Sequence, residues 1–314
     1  MSDKKTKEQI LVVTVPVADL RRKPIEARAT YTHDDLRESQ LLFSEILTCR
    51  GEEGDWYSVE AREQPKSAPG KSWQGYPGWV KKQHVSLISE IPLYNGVVTS
   101  RIARLLTEPN EAAEPLFFLS IGTRMKLGEK AGPYYRVANE GRPTAWIRVS
   151  DVSLRDRAGG SAQLRRSILN TASLFVGVPY VWGGRSMFMA DLTATATGVD
   201  CSGFTNLTYR ANNIDLPRDA HDQWSATTRI TPPSLKPGDL IFVSTENQPD
   251  SINHLMLYTG GDCFIEASET GTKTRESSFQ EKFGLDLARI ERADFTVQKK
   301  RIYFGKVAAL DQAG

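Results

Sequence analysis

The segment at positions 200–204 reads Asp200-Cys201-Ser202-Gly203-Phe204. Upstream of it lies an aromatic, glycine-rich stretch, Tyr180-Val181-Trp182-Gly183-Gly184, and the segment itself opens a predicted helix. A thiol at the start of a helix faces the positive end of the helix dipole and several unpaired backbone N–H groups, which favour the thiolate and can bind an oxyanion. Cys201 is therefore the candidate nucleophile, with a pKa expected below that of a free thiol.

A nucleophilic thiol needs a base, and His254 is the candidate because a polar residue at the start of an apolar, alternating segment needs a reason. Gly260 and Gly261 predict a turn, after which the returning strand brings Glu266 beside His254, where a carboxylate can orient the imidazole. From the residues alone other interpretations stay open. A buried cysteine is more often an inert core residue, and a histidine in a strand is more often structural.

The sequence from position 162 onward predicts helices followed by an antiparallel sheet. Apolar residues at helical spacing predict one helix and the segment after Cys201 a second, and later apolar runs predict strands at 240–243, 254–258, 263–265 and 301–304. This order is typical of an α+β domain.

The N-terminal half predicts two successive small β-barrels. Short apolar or alternating strands separated by polar turns occupy 11–90, with a Pro/Gly/Ser/Lys-rich loop at 64–75, and the pattern returns more loosely at 94–154. The predicted domains are therefore 1–90, 91–157 and 158–314.

Composition excludes several classes of partner. The 314 residues contain 40 Lys and Arg against 38 Asp and Glu, a formal charge of +2, which argues against nucleic acid or an anionic membrane as the main partner. No apolar run is long enough to span a bilayer, and the N-terminus lacks the apolar core of a signal peptide, so we expect a cytoplasmic protein. The three cysteines include no CxxC pair, and Cys49 and Cys263 are expected in the core.

Residues 162–268 resemble the NlpC/P60 family of cysteine peptidases through six blocks in the family's order. The blocks are Pro179-Tyr180-Val181-Trp182-Gly183-Gly184, Asp200-Cys201-Ser202-Gly203-Phe204, Leu216-Pro217-Arg218-Asp219, Leu235-Lys236-Pro237-Gly238-Asp239-Leu240, Asn253-His254-Leu255-Met256-Leu257-Tyr258 and Phe264-Ile265-Glu266-Ala267-Ser268. The N-terminal half resembles bacterial SH3-like domains, above all at Gly54-Asp55-Trp56-Tyr57-Ser58-Val59 and Gly75-Tyr76-Pro77-Gly78-Trp79-Val80. Together they imply an α+β fold: a papain-like NlpC/P60 catalytic domain preceded by two small SH3-like β-barrels.

The resemblance implies roles for individual residues. Cys201 would be the nucleophile, His254 the general base and Glu266 the third, orienting residue, with Tyr180 supporting the oxyanion. Glu266 departs from the family, which most often has His there, and a carboxylate should raise the pKa of the imidazole. Ala220 stands where many relatives have a Ser that helps to bind the substrate amine.

The combination of SH3-like and peptidase domains resembles endopeptidases that cut the γ-D-glutamyl-diamino acid bond of peptidoglycan stem peptides. In those relatives the substrate presents a free N-terminal L-Ala. Tyr76, Asp200 and Ser202 would contact it, and an acidic residue of the first SH3-like domain would bind the amine, with Glu38, Asp35 and Glu45 as candidates.

This resemblance implies a peptidoglycan-derived peptide as substrate, no cofactor, and a place in cell-wall peptide recycling. A zinc site at His221, Cys201 and His254 is disfavoured because no metal-ligand spacing is present. Two alternatives remain: an amidase or acyltransferase of the same fold, and a non-catalytic wall-binding protein in which the SH3-like pair does the binding. The sequence gives no information on oligomeric state.

Overall fold

A computed structural model describes residues 8–26, 33–68, 71–138, 144–155, 160–190, 192–193, 195–292 and 294–312. It contains three antiparallel sheets that follow one another along the chain, and the third is accompanied by helices. No helix in these ranges has the length and apolar character needed to cross a membrane.

The first sheet has seven strands arranged in the order β3-β2-β6-β5-β4-β1-β7. The strands are β1 (Ile10–Val13), β2 (Val17–Arg21), β3 (Arg37–Leu42), β4 (Ile46–Glu53), β5 (Trp56–Ala68), β6 (Lys71–Lys81) and β7 (Val85–Ile88). Alternate apolar side chains such as Leu11, Leu47 and Val59 point inward and form its core, as the two-residue period of a strand requires.

The second sheet repeats the first. Its strands are β8 (Gly96–Val98), β9 (Ile102–Leu106), β10 (Pro115–Ser120), β11 (Arg124–Ala131), β12 (Tyr134–Ala138), β13 (Ala145–Arg148) and β14 (Val152–Leu154). Their order, β10-β9-β13-β12-β11-β8-β14, is that of the first sheet shifted by seven strands, and a short 3-10 helix precedes the last strand in both. The loose sequence similarity between 94–154 and 11–90 thus corresponds to the same strand order in the two sheets. The SH3-like assignment of both units stays a prediction.

The third unit combines a sheet with helices. The helices are α1 (Ser161–Ser173), α2 (Cys201–Arg210), α3 (Ala220–Ser225), α4 (Phe279–Phe283) and α5 (Ala309–Gln312). The strands are β15 (Thr228–Ile230), β16 (Leu240–Thr245), β17 (Gln248–Gly260), β18 (Cys263–Glu266), β19 (Arg275–Ser278), β20 (Asp294–Val297) and β21 (Lys300–Lys306). They run in the order β15-β21-β16-β17-β18-β19, with β20 beside β21, so the predicted antiparallel sheet after two helices is confirmed.

Three local predictions are wrong. The expected loop at 64–75 belongs mostly to the long hairpin of β5 and β6. Pro65 is tolerated there because the strand register shifts between Ala61 and Pro65, so that a missing N–H costs no regular ladder bond. His254 lies in the middle of β17 rather than at its start, since Gln248 and Ile252 before it already pair with β16. The expectation that Cys49 and Cys263 lie in the core is also wrong, because both are only partly buried; all three cysteines are free thiols.

The sheets pack against the helical unit through one apolar core and several buried ion pairs. Val17 and Leu42 of the first sheet join Phe204 of α2 in the largest core. Glu45, between β3 and β4, pairs with Arg185, and Arg124 of β11 pairs with Asp215. The predicted domain boundaries at 90 and 157 are interpretations, and residues 156–159, around the second boundary, lie outside the described residues.

Candidate active site

Cys201 is the first residue of α2, and its position is fixed by the glycine motifs around it. The carboxylate of Asp200 caps the helix by accepting the Gly203 N–H at 2.7 Å. A side chain at position 203 would place its Cβ 2.1 Å from the carbonyl oxygen of Gly184, so the helix start can pack on the glycine-rich loop only with glycine there. The close contact between Gly203 and Gly184 thus places the Cys201 thiol against the loop that carries Tyr180.

The protonation state of Cys201 differs from the prediction. Only 9% of the residue is exposed, and burial, together with the adjacent Asp200 carboxylate, raises the pKa of the thiol to about 12. The backbone N–H of Leu255 and the Arg218 guanidinium favour the thiolate but do not offset burial. The expectation of a lowered pKa is therefore wrong for the resting protein, because desolvation outweighs the helix terminus.

His254 of β17 and Glu266 of the neighbouring β18 form a hydrogen-bonded pair. Nε2 of His254 lies 2.9 Å from Oε2 of Glu266, which leaves Nδ1 free for the thiol. The imidazole is 16% exposed; burial lowers its pKa, and Glu266 acts in the opposite direction. Next to the protonated thiol, the resting imidazole is neutral at pH 7.

Glu266 is completely buried and has three partners. Besides His254, Nζ of Lys282 in α4 lies 2.6 Å from Oε2, and Nη2 of Arg275 in β19 lies 3.1 Å from Oε1. Burial alone would raise the pKa of Glu266, but His254 and Lys282 hold it at about 2. Lys282 and Arg275 were not predicted. The one signal that could have pointed to them is the need of a buried carboxylate for cationic partners, and the sequence does not say which cations those are.

Two cavities meet at Cys201. One, of about 380 Å³, is called the Tyr76 cavity here; it extends toward the first sheet and is lined by Tyr76, Glu38, Lys66, Asp219, Ala220 and His221, among others. The other, of about 290 Å³, is called the His254 cavity and is lined by His254, Glu269, Arg275, Lys282 and Lys300, among others. Tyr180, Cys201 and Asn253 belong to both. A ligand whose reacting bond lies at the Cys201 thiol can therefore place one end in each cavity.

Tyr76 of β6 closes the Tyr76 cavity on the side of the first sheet. Its ring belongs to the core of that sheet, while its hydroxyl lies 3.2 Å from Oε2 of Glu38 and 3.1 Å from Oδ1 of Asp219. Burial raises the pKa of Tyr76, so the hydroxyl stays protonated and donates. Tyr76 therefore packs in the core of the first sheet and also lines the cavity.

Of the three acidic candidates in the first sheet, only Glu38 lines the Tyr76 cavity. Glu45 is 1% exposed and bound to Arg185, and the Asp35 side chain is 85% exposed. Asp219 adds a second carboxylate that the sequence analysis did not single out, although it lies within the quoted block at 216–219. Two carboxylates and a tyrosine hydroxyl thus converge at this end of the cavity.

Asp200 and Ser202 also line the Tyr76 cavity, but both are held by Arg218. Its Nη2 and Nη1 lie 2.7 and 3.0 Å from the two oxygens of Asp200, and Nη1 lies 2.8 Å from Oγ of Ser202. The Arg218 side chain is almost wholly buried, so this pair is permanent. By contrast, the partners of Glu38 and Asp219, Arg22 and Lys66, have side chains that are 58% and 30% exposed. The carboxylates that can exchange partners are therefore Glu38 and Asp219.

Comparisons with known proteins match both the catalytic region and most of the chain. The model of the NlpC/P60 family matches residues 177–288. The chain is 33% identical over 263 residues to a gamma-D-glutamyl-L-lysine dipeptidyl-peptidase of Bacillus subtilis strain 168, with 83% of each chain covered. A protein of the same description from Bacillus cereus is 29% identical over 77% of this chain and 71% of its own. The crystal structure of an NlpC/P60 family protein from Bacillus cereus ATCC 10987 superposes with a TM-score of 0.74 and 24% identity, covering 87% of this chain and 95% of that one, which supports the fold.

Proposed function

Because the chain belongs to the NlpC/P60 family, we propose that it is a cysteine endopeptidase that hydrolyses the γ-D-glutamyl-diamino acid bond of peptidoglycan stem peptides bearing a free N-terminal L-Ala. The observation that carries the proposal is the closed end of the Tyr76 cavity, where Glu38, Asp219 and the Tyr76 hydroxyl meet. The names of the Bacillus relatives, which specify a γ-D-glutamyl-L-lysine bond and release of a dipeptide, support it.

The reaction begins from a neutral thiol and a neutral imidazole. The proton of Cys201 passes to His254 as Sγ attacks the γ-carbonyl carbon of D-Glu, which gives a tetrahedral oxyanion. Backbone N–H groups at the start of α2 stabilise the oxyanion, together with the Tyr180 hydroxyl, which burial keeps protonated by raising its pKa.

Collapse of the oxyanion breaks the C–N bond, and His254 gives its proton to the leaving nitrogen of the diamino acid. Water, deprotonated by His254, then hydrolyses the thioester. The products are L-Ala-D-Glu and the free diamino acid, and the thiol of Cys201 is restored.

Amine recognition follows from the charges in the Tyr76 cavity. An N-terminal ammonium pairs best with carboxylates in a site that excludes water, and Glu38 and Asp219 are the two that can exchange their exposed partners for it. Because Tyr76 lines this end of the cavity with its ring in the core of the first sheet, we expect a longer N-terminal chain to fit poorly there. A substrate with a free N-terminal L-Ala has already been detached from the glycan, which fits peptide recycling.

The test is hydrolysis of L-Ala-γ-D-Glu-L-Lys, the same peptide with diaminopimelate, and the N-acetylated form of each. Free diamino acid is expected from the unblocked peptides only, with loss of activity in Cys201→Ala. Equal cleavage of the acetylated peptides would overturn amine recognition, and activity that persists in Cys201→Ala would overturn the mechanism.

Glu38→Gln separates the binding of the amine from the chemistry. It is expected to raise KM about tenfold with little change in kcat, the loss typical of one charged hydrogen bond. Asp35→Asn, with the same change of charge on an exposed side chain outside the cavity, is the matched control and should leave KM unchanged.

A further inference from the structure

The His254 cavity has an excess of positive charge. Arg275, Lys282 and Lys300 line it, against Glu269 at the rim and the buried Glu266 behind the imidazole. Two of the cations, Arg275 and Lys282, are bound to Glu266. With His254 neutral, one positive charge is left over next to the catalytic groups.

Lys300 is the cation without a counter-charge. In the part of the chain that the structure describes, its ammonium forms no ion pair with a carboxylate. Its backbone is nevertheless fixed at the edge of the cavity, because β21 pairs it with Thr245 of β16. Its charge reaches the imidazole and, together with Lys282, acts to lower the pKa of His254. The Lys300 side chain is exposed, so its ammonium is open to a ligand, and an ammonium beside a reacting centre fits an anionic group of that ligand.

The positions of the two cavities on either side of Cys201 indicate which part of the ligand enters the His254 cavity. On the proposed function, the N-terminal amine lies in the Tyr76 cavity and the scissile bond lies over Cys201. The leaving nitrogen must then face His254, which protonates it. In a tripeptide, the α-carboxylate of the last residue is only two bonds from that nitrogen, so it enters the His254 cavity.

We propose that the His254 cavity is the subsite for the leaving residue and that Lys300 binds its free C-terminal carboxylate. This inference rests on the proposed peptidase function and adds a second specificity to it. The protein then selects peptides at both ends, for an ammonium on one side of Cys201 and for a carboxylate on the other. Peptides whose last carboxylate is amidated should be poor substrates.

The experiment compares L-Ala-γ-D-Glu-L-Lys with its C-terminal carboxamide on three proteins. For the wild type, the carboxamide is expected to have a KM about tenfold higher. In Lys300→Met this difference should fall to about twofold or less, because KM for the acid rises to that of the carboxamide. Lys299→Met, a neighbour of equal charge that does not line the cavity, should keep the full difference.

Equal KM values for acid and carboxamide in the wild type would overturn the subsite, and a full difference in Lys300→Met would overturn the assignment to Lys300. Calorimetric binding of the two peptides to Cys201→Ala needs no turnover and separates this inference from the proposed function. Tighter binding of the acid without cleavage by the wild type would contradict only the proposed function. Equal binding would contradict the subsite whether or not cleavage occurs.

Discussion

At the scale of single residues, the notable feature is the Glu266 carboxylate, whose Oε2 is shared by His254 and Lys282. A carboxylate in place of the more usual histidine acts to raise the pKa of the imidazole. Burial is the main factor that offsets this effect, and Lys282 adds to it because its charge disfavours a second cation nearby. The pKa of His254 is accordingly lowered by burial and by Lys282 and Lys300, against Glu266.

Glu266→Gln should lower kcat about 10- to 100-fold with little change in KM, the usual cost of losing the partner that orients a functional histidine. Since Glu266 favours the imidazolium, its loss should also move the acid limb of the kcat/KM profile to lower pH. Steady-state kinetics between pH 4 and pH 9 measure both effects. Glu269→Gln, at an exposed position of the same cavity, is the control. An unchanged kcat in Glu266→Gln would show that Glu266 does not orient His254.

Lys282→Met should move the acid limb in the opposite direction, to higher pH. The charged groups that act on the pKa of His254 are Glu266 from β18, Lys282 from α4 and Lys300 from β21, and Arg275 and Glu269 line the same cavity. Without the Lys282 cation, less positive charge counteracts the effect of Glu266, so the pKa of His254 rises. The imidazolium then persists to higher pH, and less of the neutral base is present in mildly acidic solution. The same pH profile reports it, and Lys282→Arg should restore the wild-type limb. An acid limb that is unchanged or lies at lower pH in Lys282→Met would show that Lys282 does not lower the pKa of His254.

At the scale of elements, buried ion pairs fix the first sheet on the helical unit. Glu45 follows β3 and is 1% exposed, with Arg185 Nη1 2.5 Å from its Oε1 and Gln64 Nε2 2.9 Å from its Oε2. Burial would raise the pKa of Glu45, but Arg185 and Arg210 lower it, so the pair stays ionised. The ion pair between Glu45 and Arg185 holds β3, which contains Glu38, against the helical unit.

Glu45→Gln should cost about 3–5 kcal/mol of unfolding free energy, because it leaves the fully buried Arg185 without its carboxylate. Glu60→Gln, which breaks the more exposed pair with Arg50, should cost about 1 kcal/mol or less. Urea unfolding followed by circular dichroism compares the two variants. Similar midpoints for both would mean that the buried pair does not stabilise the junction.

At the scale of the whole molecule, carboxylates with lowered pKa values occur in the first and third units. Burial opposes ionisation in each case, but charged or hydrogen-bonding partners prevail: Arg21 for Asp34, Arg185 for Glu45, Arg124 for Asp215, and His254 and Lys282 for Glu266. These groups bind protons more weakly in the folded than in the unfolded protein. They therefore stabilise the fold above the pKa of the unfolded carboxyl groups.

Thermal stability should accordingly fall as the pH drops from about 4.5, the ordinary pKa of glutamate, toward the pKa of about 2 that Glu266 has in the fold. Above pH 5 these groups are ionised in both states and contribute no further pH dependence. Calorimetric scans at successive pH values measure Tm across this window. A Tm that is constant down to pH 3 would contradict a stabilising role of these pairs.

The short-range features were predictable from the sequence. The glycine-rich loop and the position of Cys201 at the start of α2 depend on neighbours in the chain, as does the turn that brings Glu266 next to His254. The repeat of the first sheet by the second is also visible in the strand pattern. Local spacing and turn chemistry determine these features, so they can be read without the fold.

The partners of buried charges were not predictable. The sequence offered Glu38, Asp35 and Glu45 as equals, and only the fold places Glu38 in the Tyr76 cavity, Glu45 in the junction and Asp35 in solvent. Lys282 could not be assigned to Glu266 for the same reason, and the pKa of Cys201 was predicted in the wrong direction. Ion pairing and desolvation depend on which distant residues exclude water from a group, and that is fixed by tertiary packing, not by spacing along the chain.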